Sequence, residues 1–222
     1  MSGESDKLSK AELREDEFVE WLMRAVDYVR DRAQNFAVGS VAVVVAILAV
    51  NYFIESQEKS KVEAAALFGD MIMAEQSGQL SEAIRIAEQL LATYAGTPSA
   101  AQGSIMLGNL HFSQGRYADA QRYFQMYLSD YEPIDVLVNA SQSGLAACLE
   151  AQGQVAEAAK GYEEIALRLP GSAQAALAKM NAARCYRLMG DHNKQRVLLE
   201  SVRDDYSRFP IASRARTELE ML

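Results

Sequence analysis

LGNLHFSQGRYADAQRYF at Leu107–Phe124 and GLAACLEAQGQVAEAAKGYEEIALRLP at Gly144–Pro170 share one design. In each, a helical pattern runs into a glycine, Gly115 or Gly153. A small residue follows five positions later (Ala120, Ala158), and an aromatic ring four beyond that (Phe124, Tyr162). Glycine adopts the positive φ that ends a helix at little cost. The alanine lets a second helix press against the first, and the ring fills the space between neighbouring hairpins. Working outward, the same turn occurs as SGQL at Gly78 and MGDH at Gly190. The four glycines are 37, 38 and 37 residues apart (78 to 115, 115 to 153, 153 to 190). The outer units carry Ala83 and Ala87 in the first and Gln195 and Leu199 in the fourth. Pro170 stops the third unit, and Pro98, Pro133 and Pro210 fall near the start of a following helix, where proline is tolerated. Such a period belongs to stacked two-helix units. The fold expected is all-α: a solenoid of about four hairpins closed by a capping helix over Ile211–Leu222.

The two stretches resemble tetratricopeptide repeats, the first and fourth units being degenerate versions. The resemblance implies a solenoid that binds other proteins. The family's usual period is about 34 residues. The excess is expected in longer second helices, which would take in ALRLP and RDDYSRFP.

Composition narrows the function. Half of the 222 residues are hydrophobic, only four are proline, and the formal net charge is −8 with acids and bases interspersed. No run of Lys and Arg offers the basic surface that nucleic acid needs. Cys148 and Cys185 lack the paired spacing of a zinc site. They occupy equivalent places on successive first helices, which pack ~8–10 Å apart and so are too far for a disulfide. Free thiols filling the hairpin cores are expected. His111 and His192 have no ligand-spaced partner, Ser143 and Gly144 lie within a helix and form no nucleophile elbow, and no phosphate-binding glycine loop occurs. No catalytic residue, cofactor, metal or small-molecule substrate is expected.

Upstream of the repeats, Phe36–Ile54 reads FAVGSVAVVVAILAVNYFI, and no charged residue occurs from Ala33 to Ile54. At ~1.5 Å per residue this is roughly 28 Å of helix, close to the hydrocarbon thickness of a bilayer. A membrane span over 36–54 is expected; a fully buried core helix is the alternative. The long acidic stretch before it is unlike the short basic start of a cleaved signal, so an uncleaved anchor is read. Lys7, Lys10, Arg14, Arg24, Arg30 and Arg32 precede the span, against Lys59 and Lys61 just after it. The positive-inside bias therefore places the N-terminus in the cytoplasm and the repeat domain, 55–222, across the inner membrane in the periplasm. Gly39, Ala42, Ala46 and Ala49 share one face, where a partner's membrane helix would pack closely; the alternative is that alanine is merely tolerated in lipid.

Residues 1–35 form the leading tail. From about Ala11 it reads as an amphipathic helix with Phe18, Leu22, Val26, Val29, Ala33 and Phe36 on one stripe. The acids from Glu12 to Glu20 make an anionic lipid surface a poor target and a partner protein a better one. A solvated helix leading into the span is the other reading.

Stacked hairpins line an inner surface with their first helices. The inward-facing candidates are Phe68 and Ile72, then Ile105, Asn109 and Phe112, then Ser143, Ala147 and Glu150, and finally Met180, Arg184 and Arg187. Such a groove suits a polypeptide with an apolar segment, with Arg184 and Arg187 receiving a carboxylate. The alternative for those arginines is simple solvation. The clamp by which some tetratricopeptide proteins hold a C-terminal carboxylate is not expected, because only Asn109 resembles it.

Taken whole, a tail reading EDEFVEWLMRAVDYVRDRAQN (Glu15–Asn35), one span and a repeat domain of this size are similar to the ancillary subunit of the bacterial Sec translocon (the YfgM type). That resemblance implies a periplasmic repeat domain beside the translocon, with periplasmic chaperones and exported polypeptides as partners. A structural subunit of another large membrane or envelope-assembly complex is the alternative.

Overall fold

The computed structural model describes residues 10–222, with side chains from residue 18 onward except those of 31, 33, 34 and 36. Among the described residues there are ten helices and no strand. The chain divides into two compact units, Met1–Glu58 and Lys59–Leu222. The first contains α1 (Lys10–Asp31), a break at Arg32, and the apolar first part of α2 (Ala33–Gln76).

The second unit is the solenoid. The end of α2 pairs with α3 (Leu80–Thr93), α4 (Pro98–Ser113) with α5 (Tyr117–Asp130), α6 (Asp135–Ala151) with α7 (Val155–Arg168), and α8 (Ala173–Leu188) with α9 (His192–Asp205). The capping helix is α10 (Ile211–Glu220), which packs on α9 and α8. Gly78, Gly115, Gly153 and Gly190 sit at the four hairpin turns with φ of 75°, 74°, 81° and 76°. In the second turn Gly115 N–H donates to the Phe112 carbonyl and Arg116 N–H to the His111 carbonyl, both at 2.9 Å. The other three turns repeat this pair of bonds. These closures satisfy carbonyls that the ends of α2, α4, α6 and α8 would otherwise leave orphaned.

The long period has a different origin from the one expected. All four second helices are 14 residues long, so ALRLP and RDDYSRFP do not extend α7 and α9 to the prolines. The extra length lies in first helices of 16, 17 and 16 residues (α4, α6, α8) and in structured connectors. Between α5 and α6 the buried Tyr127 hydroxyl accepts from Ile134 N–H at 3.0 Å and donates to the Glu132 carbonyl at 3.3 Å. Thr97 and Ser172 side chains cap α4 and α8. Connectors held in this way cannot continue the preceding helix.

The core follows the hairpin order. Met71, Ala83, Ile86, Leu107 and Tyr123 join the first two hairpins, Phe124, Tyr127 and Cys148 the second and third. Tyr162, Met180, Leu199 and Ala215 knit the third and fourth to the cap. Between α4 and α6 the Phe124 ring is almost wholly buried, against two glycines. A Cβ at Gly108 would stand 2.8 Å from the ring, and one at Gly144 would fall on it. Cys148 and Cys185 are free and buried, and burial pushes both thiols up to about 11.

Two glycine substitutions separate packing from helix propensity. At Gly69 a Cβ meets nothing within 4 Å, so Gly69→Ala is expected to stabilise by up to about 1 kcal/mol. Gly144→Ala gains the same propensity but forces the enclosed ring aside at about 1–3 kcal/mol, for a net loss of up to about 2 kcal/mol. Urea denaturation of the detergent-solubilised chain, followed by far-ultraviolet circular dichroism, measures both.

Candidate functional site

A helix that packs a partner on two sides keeps one stripe free, and the turn glycines give its register. Counting back thirteen, nine, six and two positions from each glycine finds the open face of the first helices. On α8 these are Leu177, Asn181, Arg184 and Leu188; on α4 Gln102, Met106, Asn109 and Ser113; on α6 Ala140, Gly144, Ala147 and Ala151. All twelve are exposed or half-buried. The α6 members are all alanine or glycine, so the middle of the face is nearly bare backbone between the Met106 and Asn109 wall and the Leu177, Asn181 and Arg184 wall. Between α6 and α8 lies a depression of about 230 Å³, floored by Ile165 and rimmed by Val136, Ala140, Ser143, Leu177 and Asn181. Asn139 borders it; its amide donates to the Asp135 carbonyl at 2.7 Å, while its Oδ1 has no partner. Hydrophobic walls with a few amides are what an extended or helical polypeptide segment requires.

Of the residues expected to line the groove, Asn109 and Arg187 are exposed, and Phe68, Ile72, Phe112 and Arg184 are half-buried. Ile105 and Met180 are 7% and 4% exposed and belong to the core. Both lie ten positions before their glycine, where the side chain turns under its own helix. Phe68, at the same place, packs against the first-hairpin core, as does Ile72. Phe112 tilts against Tyr117, with centroids 5.3 Å apart. Met106, one position after Ile105, and Leu177, three before Met180, were not anticipated; the glycine register locates both. Arg187 borders another cleft, of about 240 Å³, with Gln195 and Glu218.

Arg184 already holds a carboxylate, that of its own chain. Its Nε donates to Glu150 Oε1 and its Nη2 to Glu150 Oε2, both at 2.7 Å, a fork-to-fork pair linking α6 to α8. The Tyr162 hydroxyl approaches the same carboxylate at 3.4 Å, and burial holds that phenol above its ordinary value. Bonding to Glu150 likewise raises the Arg184 guanidinium above its usual range. The pair ties α6 to α8 beyond the end of the depression, whose lining includes neither residue.

His111 is buried and stacked on Tyr123, centroids 5.1 Å apart, with neither ring nitrogen bonded. Burial, assisted by the Arg116 guanidinium, lowers its pKa. His192 lies 3.2 Å from the Gln195 amide oxygen. Among the described residues no group of three or more His, Cys, Asp or Glu is placed to hold a metal. On α2, Gly39, Ala42, Ala46 and Ala49 are exposed together with every other residue from Ala37 to Ile54.

Two measurements probe this arrangement. In a double-mutant cycle of Glu150→Gln and Arg184→Met, the coupling is expected near 1 kcal/mol, since the guanidinium is partly in water. For His111, the unfolded chain binds a proton that the folded chain refuses, so the stability at this site is complete above about pH 6.5 and declines as pH falls below it. His111→Leu is therefore expected to lose less stability than the parent between about pH 7.5 and about pH 5.5; equal losses would remove the histidine from the account.

The tetratricopeptide repeat-like domain family matches residues 28–168, more than half of the chain. Among curated proteins none matches. Of solved structures, a putative kinesin light chain with nearly identical TPR-like repeats from Podospora anserina is 21% identical, with a TM-score of 0.59 over 72% of this chain and 84% of that one. PcrH from Pseudomonas aeruginosa is 25% identical, with a TM-score of 0.50 over 59% of this chain and 98% of its own. SycD, a type III secretion translocator chaperone of Yersinia enterocolitica, is 21% identical, with a TM-score of 0.49 over 57% and 92%. With glycine-closed hairpins, alanine and ring at fixed offsets, and a family match across the first three of them, the chain belongs to the tetratricopeptide repeat-like domain family.

Proposed function

We propose that the protein is a membrane-anchored interaction scaffold of the bacterial cell envelope, an accessory factor at the Sec translocon that serves periplasmic chaperones and exported polypeptides. Its N-terminus lies in the cytoplasm, its span in the inner membrane and its repeats in the periplasm. One observation carries the reading: no residue from Ala37 to Ile54 is buried, though the stretch is aliphatic almost throughout. In water, so many exposed Val, Ile and Leu side chains would be a severe cost. In lipid they need no cover, and the helix satisfies its own backbone. A core helix would instead have been enclosed. The family match begins at Tyr28, so the apolar stretch lies within the matched domain.

The repeat side supports a binder and not a catalyst. The open face is apolar at Met106 and Leu177, amide-bearing at Asn109 and Asn181, and backed by alanine and glycine. These groups hold a chain and provide no nucleophile. The two thiols are buried and protonated at neutral pH.

The native cysteines being unreactive, Lys160→Cys on the exposed side of α7 reports topology. In spheroplasts it is expected to react with a membrane-impermeant maleimide while the protein stays in the carbonate-resistant membrane fraction. Release by carbonate would overturn the anchor, and labelling only after lysis would overturn the orientation. Photocrosslinkers at Asn181 and Ala147 are expected to capture chaperones or exported chains, and one at Ala46 a membrane subunit. Capture from Ala46 alone would favour the structural-subunit reading.

A further inference from the structure

We propose that α1 is a second membrane-contacting element, lying in the interfacial plane of the bilayer with Trp21 and Phe18 among the lipid headgroups. The inference rests on the reading of α2 as a span. At 100° per residue, Phe18, Leu22, Ala25, Val26 and Val29 fall on one side of α1 with Trp21 at its edge. Glu20, Arg24 and Asp27 fall on the opposite side, where Arg24 and Glu20 pair at 3.0 Å. The apolar side is bare: Phe18, Trp21 and Val26 are 61%, 62% and 57% exposed. Near its end Ala25, Val26, Val29 and Arg30 border an open, apolar patch of surface.

What covers this side follows from where the helix ends. Only Arg32 separates α1 from α2, and the uncharged stretch begins one residue later. The last turn of α1 is therefore tethered within a few ångströms of the hydrocarbon boundary, where a lipid surface is present at effectively unlimited concentration. The break at Arg32 interrupts the helix at the level where its axis must turn to lie flat. Arg32 stacks on the Tyr28 ring at 4.7 Å and donates to its hydroxyl at 2.8 Å, so an aromatic ring and a guanidinium are paired where headgroups begin. Phe18, Trp21 and Tyr28 are the residue types that favour that depth, and arginine reaches its charge outward from it. Lys10–Asp31 carries seven acids against four bases, a net −3, so the helix binds a zwitterionic interface through the buried area of its apolar face and not through lipid charge.

Trp21 is the chain's only tryptophan, so its fluorescence reads this helix alone. The full chain is reconstituted into zwitterionic phosphatidylcholine vesicles, with and without bromine on the upper acyl carbons. Expected are co-flotation with the vesicles, a blue-shifted emission, protection from iodide, and quenching by the brominated lipid of about half or more, since such helices sit ~5–10 Å into the boundary. Val26→Glu, which leaves the tryptophan and the span in place, is expected to abolish the quenching. A chain that floats while Trp21 stays red-emitting, iodide-quenched and indifferent to bromine would overturn the proposal, leaving α1 for a protein partner or for water. A chain that fails to float would overturn the anchor itself, and this inference with it.

Discussion

The Phe124 ring, driven between Gly108 of α4 and Gly144 of α6, is the contact on which the solenoid depends. From the second hairpin onward, each second helix sends a large side chain into the space between first helices, which must leave room for it. In the second hairpin the room is made by removing two side chains altogether. The cost is lost helix propensity at two interior positions, roughly 1 kcal/mol each. It is offset by complete burial of an aromatic side chain, on the order of 2–3 kcal/mol, and by close approach of α4 to α6, which pack directly on one another. In the third and fourth hairpins Tyr162 and Leu199 take the corresponding place. There the first helices present alanine, and Ala182 and Ala183 of α8 are fully buried.

From this contact the remaining geometry follows in order. The ring sets the distance between first helices; the four glycine turns set the angle within each hairpin; the connectors, tied by Tyr127, Thr97 and Ser172, set the step from one hairpin to the next. The Glu150–Arg184 pair acts further out, linking α6 to α8 on the open side. It is a brace with a specific consequence. Arg184 was a reasonable candidate for receiving a partner's carboxylate, but two hydrogen bonds and a raised pKa commit it to Glu150. A ligand's acidic group must then compete with an intramolecular partner already in register.

Repetition made most of this legible in the sequence. Four glycines at one spacing defined the hairpins, and the alanine and ring at fixed offsets identified the faces buried within and between them; α3 to α10 fall where that pattern puts them. The groove was less legible because the period of a helix is not a whole number. Ile105 and Met180 lie a single step from Met106 and Asn181, and that step of 100° turns a side chain from solvent to core. Position relative to the glycine resolves the step, whereas apolarity alone chooses wrongly, since Ile105 and Met180 look more like ligand anchors than Asn181 does. The long second helices were misread for a related reason. Ala166–Arg168 and Arg203–Asp205 are helical, but the helices stop at Arg168 and Asp205, where Tyr206 is buried and the connectors bond the chain in another conformation.

Gly144 belongs to both halves of the account. On its inner side it is the seat of Phe124, and on its outer side it lies in the middle of the open face, between Ala140 and Ala147. The requirement that admits the ring therefore also strips side chains from the place where a bound segment would run. A larger residue there would push Phe124 out of the core. At Gly144 the bare floor of the open face is thus a by-product of how the hairpins stack, while Met106, Asn109, Leu177 and Asn181 stand on its exposed or half-buried walls. Were a polypeptide to lie on this face, substitutions at those four positions would change its contacts, while the fold is held by residues that face the other way.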